Sequence, residues 1–434
     1  MNHTMENDQT PGVDRRGFLR RAGLATAAGA VLPLLATSGC APAAAADSPA
    51  PSGDPDQLFK AGDFAGAERG YTQLLHNDPD NAHAAAQLGY IALLSNRFPS
   101  AERYLSQAFR LAPGDALSKL RLADCFVRQD KLARAVPLLP DATAAQLAAI
   151  TGTPYEVHGA QVSRAPFLDV DPLPHLEASV NGKPGVFVLD TGALPLTVTT
   201  DAATEAGLRA VSSSTLTING RTSTVQHGVA PSLRIGQLEV RQVPVSWTDQ
   251  LATFPNGLVP TGTIGTQLFY HFLTTIDYKR RALILRQRTA AQQRAFRAEA
   301  ASAGIRPQPL WLAGDHLPCT EGKLNDYGPR KAVIDTGVLA AGLNTSVANA
   351  QRAGITIDYD HPGQVNGGAD VVYPITVNQM RIGDAVRRHL PGSAAGKMPW
   401  DGMTQFDTIG NFTHEFFKPF AVTFDYVGMN LFVG

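Results

Sequence analysis

Val186-Phe187-Val188-Leu189-Asp190-Thr191-Gly192 and Ala332-Val333-Ile334-Asp335-Thr336-Gly337 are two versions of one signal, an apolar run ending in Asp-Thr-Gly. Each reads as a buried strand that delivers a carboxylate into a tight turn, with Gly supplying the backbone freedom. The two aspartates lie 145 residues apart. The residues downstream of each tripeptide also repeat. A helix-like stretch ends in Glu205-Ala206-Gly207-Leu208 in one half and in Arg352-Ala353-Gly354-Ile355 in the other. Arg234-Ile235-Gly236 answers Arg381-Ile382-Gly383, and Thr263-Ile264-Gly265 answers Thr408-Ile409-Gly410. Thr275-Ile276-Asp277-Tyr278 answers Thr423-Phe424-Asp425-Tyr426. The pattern predicts a duplicated unit that contributes one aspartate from each copy.

Around these landmarks, strand-like runs alternate with turn residues. Leu176 to Val180 precedes Asn181-Gly182, and Thr215 to Ile218 precedes Asn219-Gly220; Asn-Gly between apolar alternations is a strong hairpin signal. Ala290 to Ala303 holds Ala, Gln, Arg and Glu without Gly or Pro, which predicts an exposed helix between two β lobes. The segments Asn219 to Gly228 and Gln364 to Tyr373 occupy the place of a cleft-covering hairpin in each copy, with Gly367-Gly368 at one tip. Tyr373 reads as an ordinary strand tyrosine.

At 434 residues the chain has room for two or three domains, and its net charge of −1 gives no basic field for nucleic acid. Its three cysteines, Cys40, Cys125 and Cys319, fall in separate segments, against a disulfide framework or a thiolate metal site. His414-Glu415-Phe416-Phe417-Lys418 lacks the second His of a zinc-protease helix and reads as a packed or solvated stretch. His271 and His414 fall in comparable places near the end of each copy and read as core or surface histidines. No metal or cofactor is expected.

Two carboxylates a few ångströms apart cannot both ionise, so they hold one shared proton over a span of pH. Such a pair can hold a water. The ionised member takes a proton from that water as it attacks a carbonyl, while the protonated member donates to the carbonyl oxygen. The result is direct amide hydrolysis. The chemistry needs Asp on rigid turns, Gly beside it for backbone N–H access, and a hydroxyl to tie the turns together.

On these residues, Ala165 to Gly434 resembles the aspartic proteases, most nearly bacterial retropepsin-like enzymes with two lobes in one chain. The resemblance implies Asp190 and Asp335 as the catalytic pair, Thr191 and Thr336 as an interlobe grip, and Gly192 and Gly337 as the close turns. It implies activity as a single polypeptide on a peptide or protein substrate. Val338 departs from the family, which has Ala, Ser or Thr there; it brings no hydroxyl to Asp335. Leu194 and Leu339 surround the carboxylates with apolar groups, which should raise the pair's pKa. The alternative is a catalytically weak or inactive peptide-binding scaffold of the cell envelope that retains the bilobal fold.

The N-terminal third has another character. From 55 to 140 a pattern recurs with period 34: Gly62-Asp63-Phe64, Asn96-Arg97-Phe98 and Asp130-Lys131-Leu132. Ala67, Ala101 and Ala135 recur with it, as do Leu88-Gly89 and Leu122-Ala123. This resembles tetratricopeptide repeats, which implies a surface for a peptide or protein partner. The third unit degrades at Pro137, and so few units predict a block that leans on its neighbour. Cys125 reads as a packing residue on an apolar helix face. Asp14-Arg15-Arg16-Gly17-Phe18-Leu19-Arg20, with an Ala- and Gly-rich run after it, resembles a twin-arginine export signal. Thr37-Ser38-Gly39-Cys40 resembles a lipoprotein site with lipid on Cys40, and Ala44-Ala45-Ala46 offers ordinary cleavage instead.

The fold class is therefore multidomain α and β, a helical solenoid before a mostly-β bilobal region. The expected order is an export signal and leader (1–46), helical repeats (55–140), a linker (141–164), lobe 1 (165–287), an interlobe helix (288–305) and lobe 2 (306–434). The mature protein is expected outside the cytoplasm, periplasmic or extracellular, either lipid-anchored through Cys40 or free after ordinary cleavage, with lipid as the only route to membrane attachment.

Overall fold

Both Asp-Thr-Gly turns sit at the end of a strand, Lys183–Leu189 and Tyr327–Asp335, in a computed structural model of the chain. The structure describes residues 53–193, 195–218, 221–249, 254, 256–365 and 370–434. The segment read as an export signal, Cys40, Leu194, Asn219-Gly220 and Gly367-Gly368 lie outside the described residues.

Each strand that ends in Asp-Thr-Gly is the second arm of a hairpin. His175–Val180 pairs with Lys183–Leu189 with Val180 opposite Lys183, and Leu317–Leu324 pairs with Tyr327–Asp335 with Leu324 opposite Tyr327. Asn181 and Asn325 lead these turns with φ of 50° and 51°, a conformation Asn tolerates better than most residues. Their amides also tie the turns to the same two places in each copy. Asn181 donates to the Ala206 carbonyl and accepts from the Ser232 N–H; Asn325 donates to the Ala353 carbonyl and accepts from the Gln379 N–H.

Past the tripeptide come a short strand and helix, Leu196–Thr199 with Thr200–Glu205 and Leu343–Ser346 with Val347–Arg352. A long hairpin comes next, Arg221–Ile235 with Leu238–Thr248 and Asp370–Ile382 with Ala385–Ala395. Ser212–Ile218 pairs with Arg221–Ile235 with Ile218 opposite Arg221, in accord with the hairpin expected at Asn219-Gly220. Tyr373 lies on a strand as expected and packs edge-on against Tyr359.

A last short strand in each copy, Gly262–Ile264 and Asn411–Thr413, runs parallel to the strand that ends in Asp-Thr-Gly. Its register corrects the sequence alignment. Leu189 lies opposite Ile264, whereas Ile334 lies opposite Phe412, not Ile409. Past this point the copies align three residues further on, so Gly410-Asn411-Phe412 is the counterpart of Gly262-Thr263-Ile264. Gly262 and Gly410 mark the true match: a Cβ on the first would strike the Thr197 carbonyl oxygen, on the second that of Asn344. Ile409-Gly410 therefore matches Ile264-Gly265 in letters only. For the same reason His414 corresponds to Thr266, not to His271.

One sheet closes the two lobes on each other. Phe272–Asp277 of lobe 1 pairs antiparallel with Ala421–Asp425 of lobe 2. Thr275 lies opposite its counterpart Thr423, and the two hydroxyls hydrogen-bond at 2.8 Å. The helix Ala290–Ser302 links the lobes, with Phe296 edge-on to Phe432 and Arg297 2.6 Å from Asp425. The stretch 141–164 does more than connect. It forms the helix Asp141–Ala148, the strand Glu156–Gly159 on the Leu238–Thr248 edge, and the start of Val162–Asp169, which pairs with Ala282–Gln287. A four-residue, half-exposed strand leaves no readable period in sequence.

The repeats form helices α1 (Pro55–Lys60), α2 (Phe64–Asn77), α3 (Ala82–Leu94), α4 (Phe98–Leu111) and α5 (Ala116–Val127). Asp54, Asp63, Asn81 and Asp115 cap four of them through side-chain oxygens. Gly89 lets α3 meet α4, because a Cβ there would strike Leu105. The third unit shrinks to one turn, Leu132–Ala135, before the Pro137 segment tightens into a 3₁₀ turn.

This block leans on lobe 2, as its small size predicts. Phe59 and Phe64 meet Phe406 edge-on, Phe64 meets Trp311, and the Tyr90 hydroxyl reaches the Met403 and Thr404 carbonyls. Burial of such rings contributes roughly 1.5–3 kcal/mol each. Cys125 and Cys319 are fully buried, and burial pushes both thiols up to about 12, so both are packing groups.

Candidate active site

The interlobe strand pair and the threonines of the two turns set Asp190 and Asp335 face to face. Asp190 Oδ1 accepts from the Gly192 N–H at 2.7 Å, and Asp335 Oδ1 accepts from the Gly337 N–H at 2.8 Å. Each glycine makes room for the opposing aspartate. A Cβ on Gly192 would sit within 2.6 Å of the Asp335 carboxyl, and a Cβ on Gly337 closer still to that of Asp190. The two carboxyl groups lie within hydrogen-bonding reach of each other.

The threonines cross between lobes. The Thr191 N–H donates to the Thr336 hydroxyl and the Thr336 N–H to the Thr191 hydroxyl, both at 3.0 Å. Each hydroxyl then donates to a carbonyl of the opposite strand, Thr191 to Ile334 and Thr336 to Leu189. All four bonds are buried. An unpaired buried group costs about 1–3 kcal/mol, so this closed set fixes the distance between the aspartates.

Burial comes first in pushing the Asp190 carboxyl well above the usual carboxylate range, and the facing Asp335 carboxyl adds to it; the N–H groups of Gly192 and Ala193 pull the other way. The pair therefore carries a proton on Asp190 where isolated carboxyls have lost theirs. The apolar wall expected from Leu339 is present, packed with Leu173, Val188 and Phe254. The shift also links to stability: the Asp190 contribution is full in acid and is lost as pH rises through its raised pKa.

Three neighbours of the turns were not assigned to the site from sequence; one of them, His414, was read as a core or surface histidine and is a core one. Val338 brings no hydroxyl, but Asn411 supplies a donor from the neighbouring strand, its Nδ2 donating to Asp335 Oδ2 at 3.2 Å. Asn411 is the counterpart of Thr263, a match hidden by the three-residue offset. Charge-assisted bonds of this kind contribute about 1.5–3 kcal/mol. Asn411→Leu is therefore expected to lower kcat for peptide cleavage roughly tenfold with the protein still folded; unchanged kcat would show that Asp335 needs no such donor.

The second is His414, fully buried, whose Nδ1 lies 2.8 Å from the Val338 carbonyl. In lobe 1 the backbone N–H of Thr266 makes the equivalent bond, to Ala193. His414, Glu415 and Asp171 bring three potential metal-ligand atoms within 4.8 Å of one another. Lys418 fills the place a cation would take, its ammonium 2.5 Å from both the Asp171 and Glu415 carboxylates. Burial works to raise the Glu415 carboxyl, but His414 and Lys418 overcome it and hold it down at about 2. The cluster thus ties lobe 1 to lobe 2 as a charge-compensated ion pair.

The third is His316, against the Gly192 carbonyl. By contrast His271 is remote from both turns' hydrogen bonds. It stacks on Tyr155 with ring centres 3.9 Å apart, and burial holds it down at about 3.

Comparison with known proteins agrees with this geometry. Residues 176–268 match the aspartyl protease family, and residues 58–108 and 87–148 match two tetratricopeptide repeat families. The helical segment thus carries tetratricopeptide repeat matches, and lobe 1 of the mostly-β region carries an aspartyl protease match. Comparison with curated proteins found no match. Among solved structures it is similar to a retropepsin-like aspartic protease from Rickettsia conorii, at 19% identity over 31% of this chain and 96% of that one, with a TM-score of 0.23. It is similar to the TPR2B-domain:pHsp70 complex of yeast Sti1 at 20% identity, over 21% of this chain and 71% of that one, with a TM-score of 0.19. It is also similar to a mutant O-GlcNAc transferase from Thermobaculum terrenum, at 25% identity over 19% of this chain and 16% of that one, with a TM-score of 0.19. The chain thus spans only a small part of that transferase.

Proposed function

We propose that the chain is an exported aspartic endopeptidase, active as a single polypeptide. The observation that carries the reading is the meeting of Asp190 and Asp335 on two turns locked by the crossed threonine bonds. Asp335, held by the Gly337 N–H and the Asn411 amide, is the member suited to take a proton from the attacking water. Asp190, buried and proton-bearing, is suited to donate to the carbonyl oxygen. The tetrahedral diol then breaks as the amine takes the proton held by Asp335 and a diol hydroxyl returns one to Asp190, which restores the starting pair.

The rival reading of a decayed scaffold rests on Val338, and the Asn411 donor removes its main support. Export by the twin-arginine signal and lipid attachment at Cys40 belong to the proposal; mass spectrometry of the mature N-terminus tests them. The repeats act first as a brace on lobe 2. A protein partner or a recruited substrate would use faces that stay open, such as the groove lined by Glu102, Arg103, Arg110 and Lys131.

Digestion of a peptide library by the purified protein tests the activity. The alkaline limb of cleavage is expected well above the ordinary aspartate value of 3.8, since the shared proton leaves only as pH rises through the raised Asp190 value. A hydroxyl-bearing transition-state mimic is expected to inhibit. Absence of cleavage from acid to neutral pH would overturn the proposal.

A further inference from the structure

His316 stands behind the lobe 1 catalytic turn although it belongs to lobe 2. It is 3% exposed, with Nε2 3.0 Å from the Gly192 carbonyl oxygen and Nδ1 2.5 Å from Asp315 Oδ1. A carbonyl oxygen only accepts, and so does an ionised carboxylate. Asp315 keeps 43% of its side-chain surface exposed, so its charge stays hydrated. Both ring nitrogens therefore face acceptors, which requires a proton on each.

The peptide unit that His316 touches is well placed to matter. The Gly192 carbonyl and the Ala193 N–H belong to one amide; that N–H donates to the Asp190 main-chain carbonyl at 3.3 Å and also favours the ionised form of the Asp190 carboxyl beside it. A cationic donor on the carbonyl polarises the amide and strengthens its N–H as a donor at the other end. The loop that carries the histidine is held in turn by the repeats. Arg128, the residue that ends α5 and is itself buried against Asp124, donates to the Leu312 and Gly314 carbonyls.

We propose that His316 is a positioning residue of the active site, an imidazolium clamped by Asp315 that holds and polarises the Gly192–Ala193 amide behind Asp190, on a loop fixed by the helical repeats. The proposal rests on the aspartic endopeptidase reading for its effect on rate, but not for the state of the ring. The charged groups around His316 are Asp315 on its own loop, Asp335 on the lobe 2 turn, Asp190 across the amide, and Arg128 with Asp124 on α5. Burial alone would lower the His316 pKa, yet Asp315 and the Gly192 carbonyl raise it overall.

Two measurements on the full chain test this. In ¹⁵N-detected imidazole spectra of the Asp190→Asn protein, which cannot digest itself, both His316 nitrogens are expected to be protonated at neutral pH. Assignment comes from the signal lost in His316→Gln. A neutral single tautomer would overturn the proposal whether or not the protein is an enzyme. In the active protein, His316→Gln keeps a neutral donor near Gly192 but removes the charge. The alkaline limb of kcat/KM is then expected to move to higher pH, by about half a unit or more, because Asp190 loses stabilisation of its ionised form. A lower rate with unmoved limbs would reduce His316 to a packing role and overturn the proposal. If the wild type cleaves nothing, the endopeptidase reading falls and the ring's protonation is still decided by the spectra.

Discussion

Asp190→Asn and Asp335→Asn are each expected to lower kcat/KM for peptide cleavage by about 10³-fold or more, with the fold retained. General acid–base assistance is typically worth 10²–10⁴-fold, and here a single pair supplies both the base and the acid. An amide has almost the shape of a carboxyl, so the Gly192 and Gly337 N–H donors keep an acceptor oxygen in either variant. It cannot hold the shared proton. The two variants should therefore be equally defective, and the double variant should be little worse, because the pair acts as one unit. Steady-state rates on a peptide found by library digestion, with circular dichroism to confirm folding, check this. If one single variant kept near-normal turnover, the two aspartates would not be working together.

Arg128→Met is expected to cost about 3–5 kcal/mol of stability, read from the urea unfolding midpoint. The Arg128 side chain is 3% exposed and bonds Asp124, the Leu93 carbonyl of α3 and the Leu312 and Gly314 carbonyls of lobe 2. Methionine fills much of the volume but donates nothing. It strands Asp124, whose carboxyl burial already pushes up to about 6 even with Arg128 opposing the shift. It also leaves buried carbonyls without donors. A loss below about 1 kcal/mol would mean that solvent reaches this junction and that the repeats are a loosely attached neighbour.

The two Asp-Thr-Gly turns were legible because strand, carboxylate and glycine are all local signals, and because each appears twice. Thr191 and Thr336 were legible as a grip for the same reason; their partners are simply each other. Asn411 was not, since its match to Thr263 depends on strand register, and the letters Ile409-Gly410 suggested a different register. His316 lies 124 residues from the carbonyl it meets, with nothing in its neighbourhood to set it apart. The repeats were expected to lean on a neighbour, but not through which residues: Phe59, Phe64 and Tyr90 share a core with Trp311, Trp400 and Phe406. Period reports that a face is apolar; it does not report what covers it. Pairing between Phe272–Asp277 and Ala421–Asp425 is likewise a long-range contact that no local pattern encodes.

The central claim is that two lobes of one chain build a single proton-sharing pair, and carboxyl ¹³C titration of Asp190 and Asp335 measures it directly. The expected result is two coupled steps felt by both carbons, the upper one well above 3.8, collapsing to one step in Asp335→Asn. Two independent titrations near the ordinary aspartate value, unaffected by each other's substitution, would contradict it.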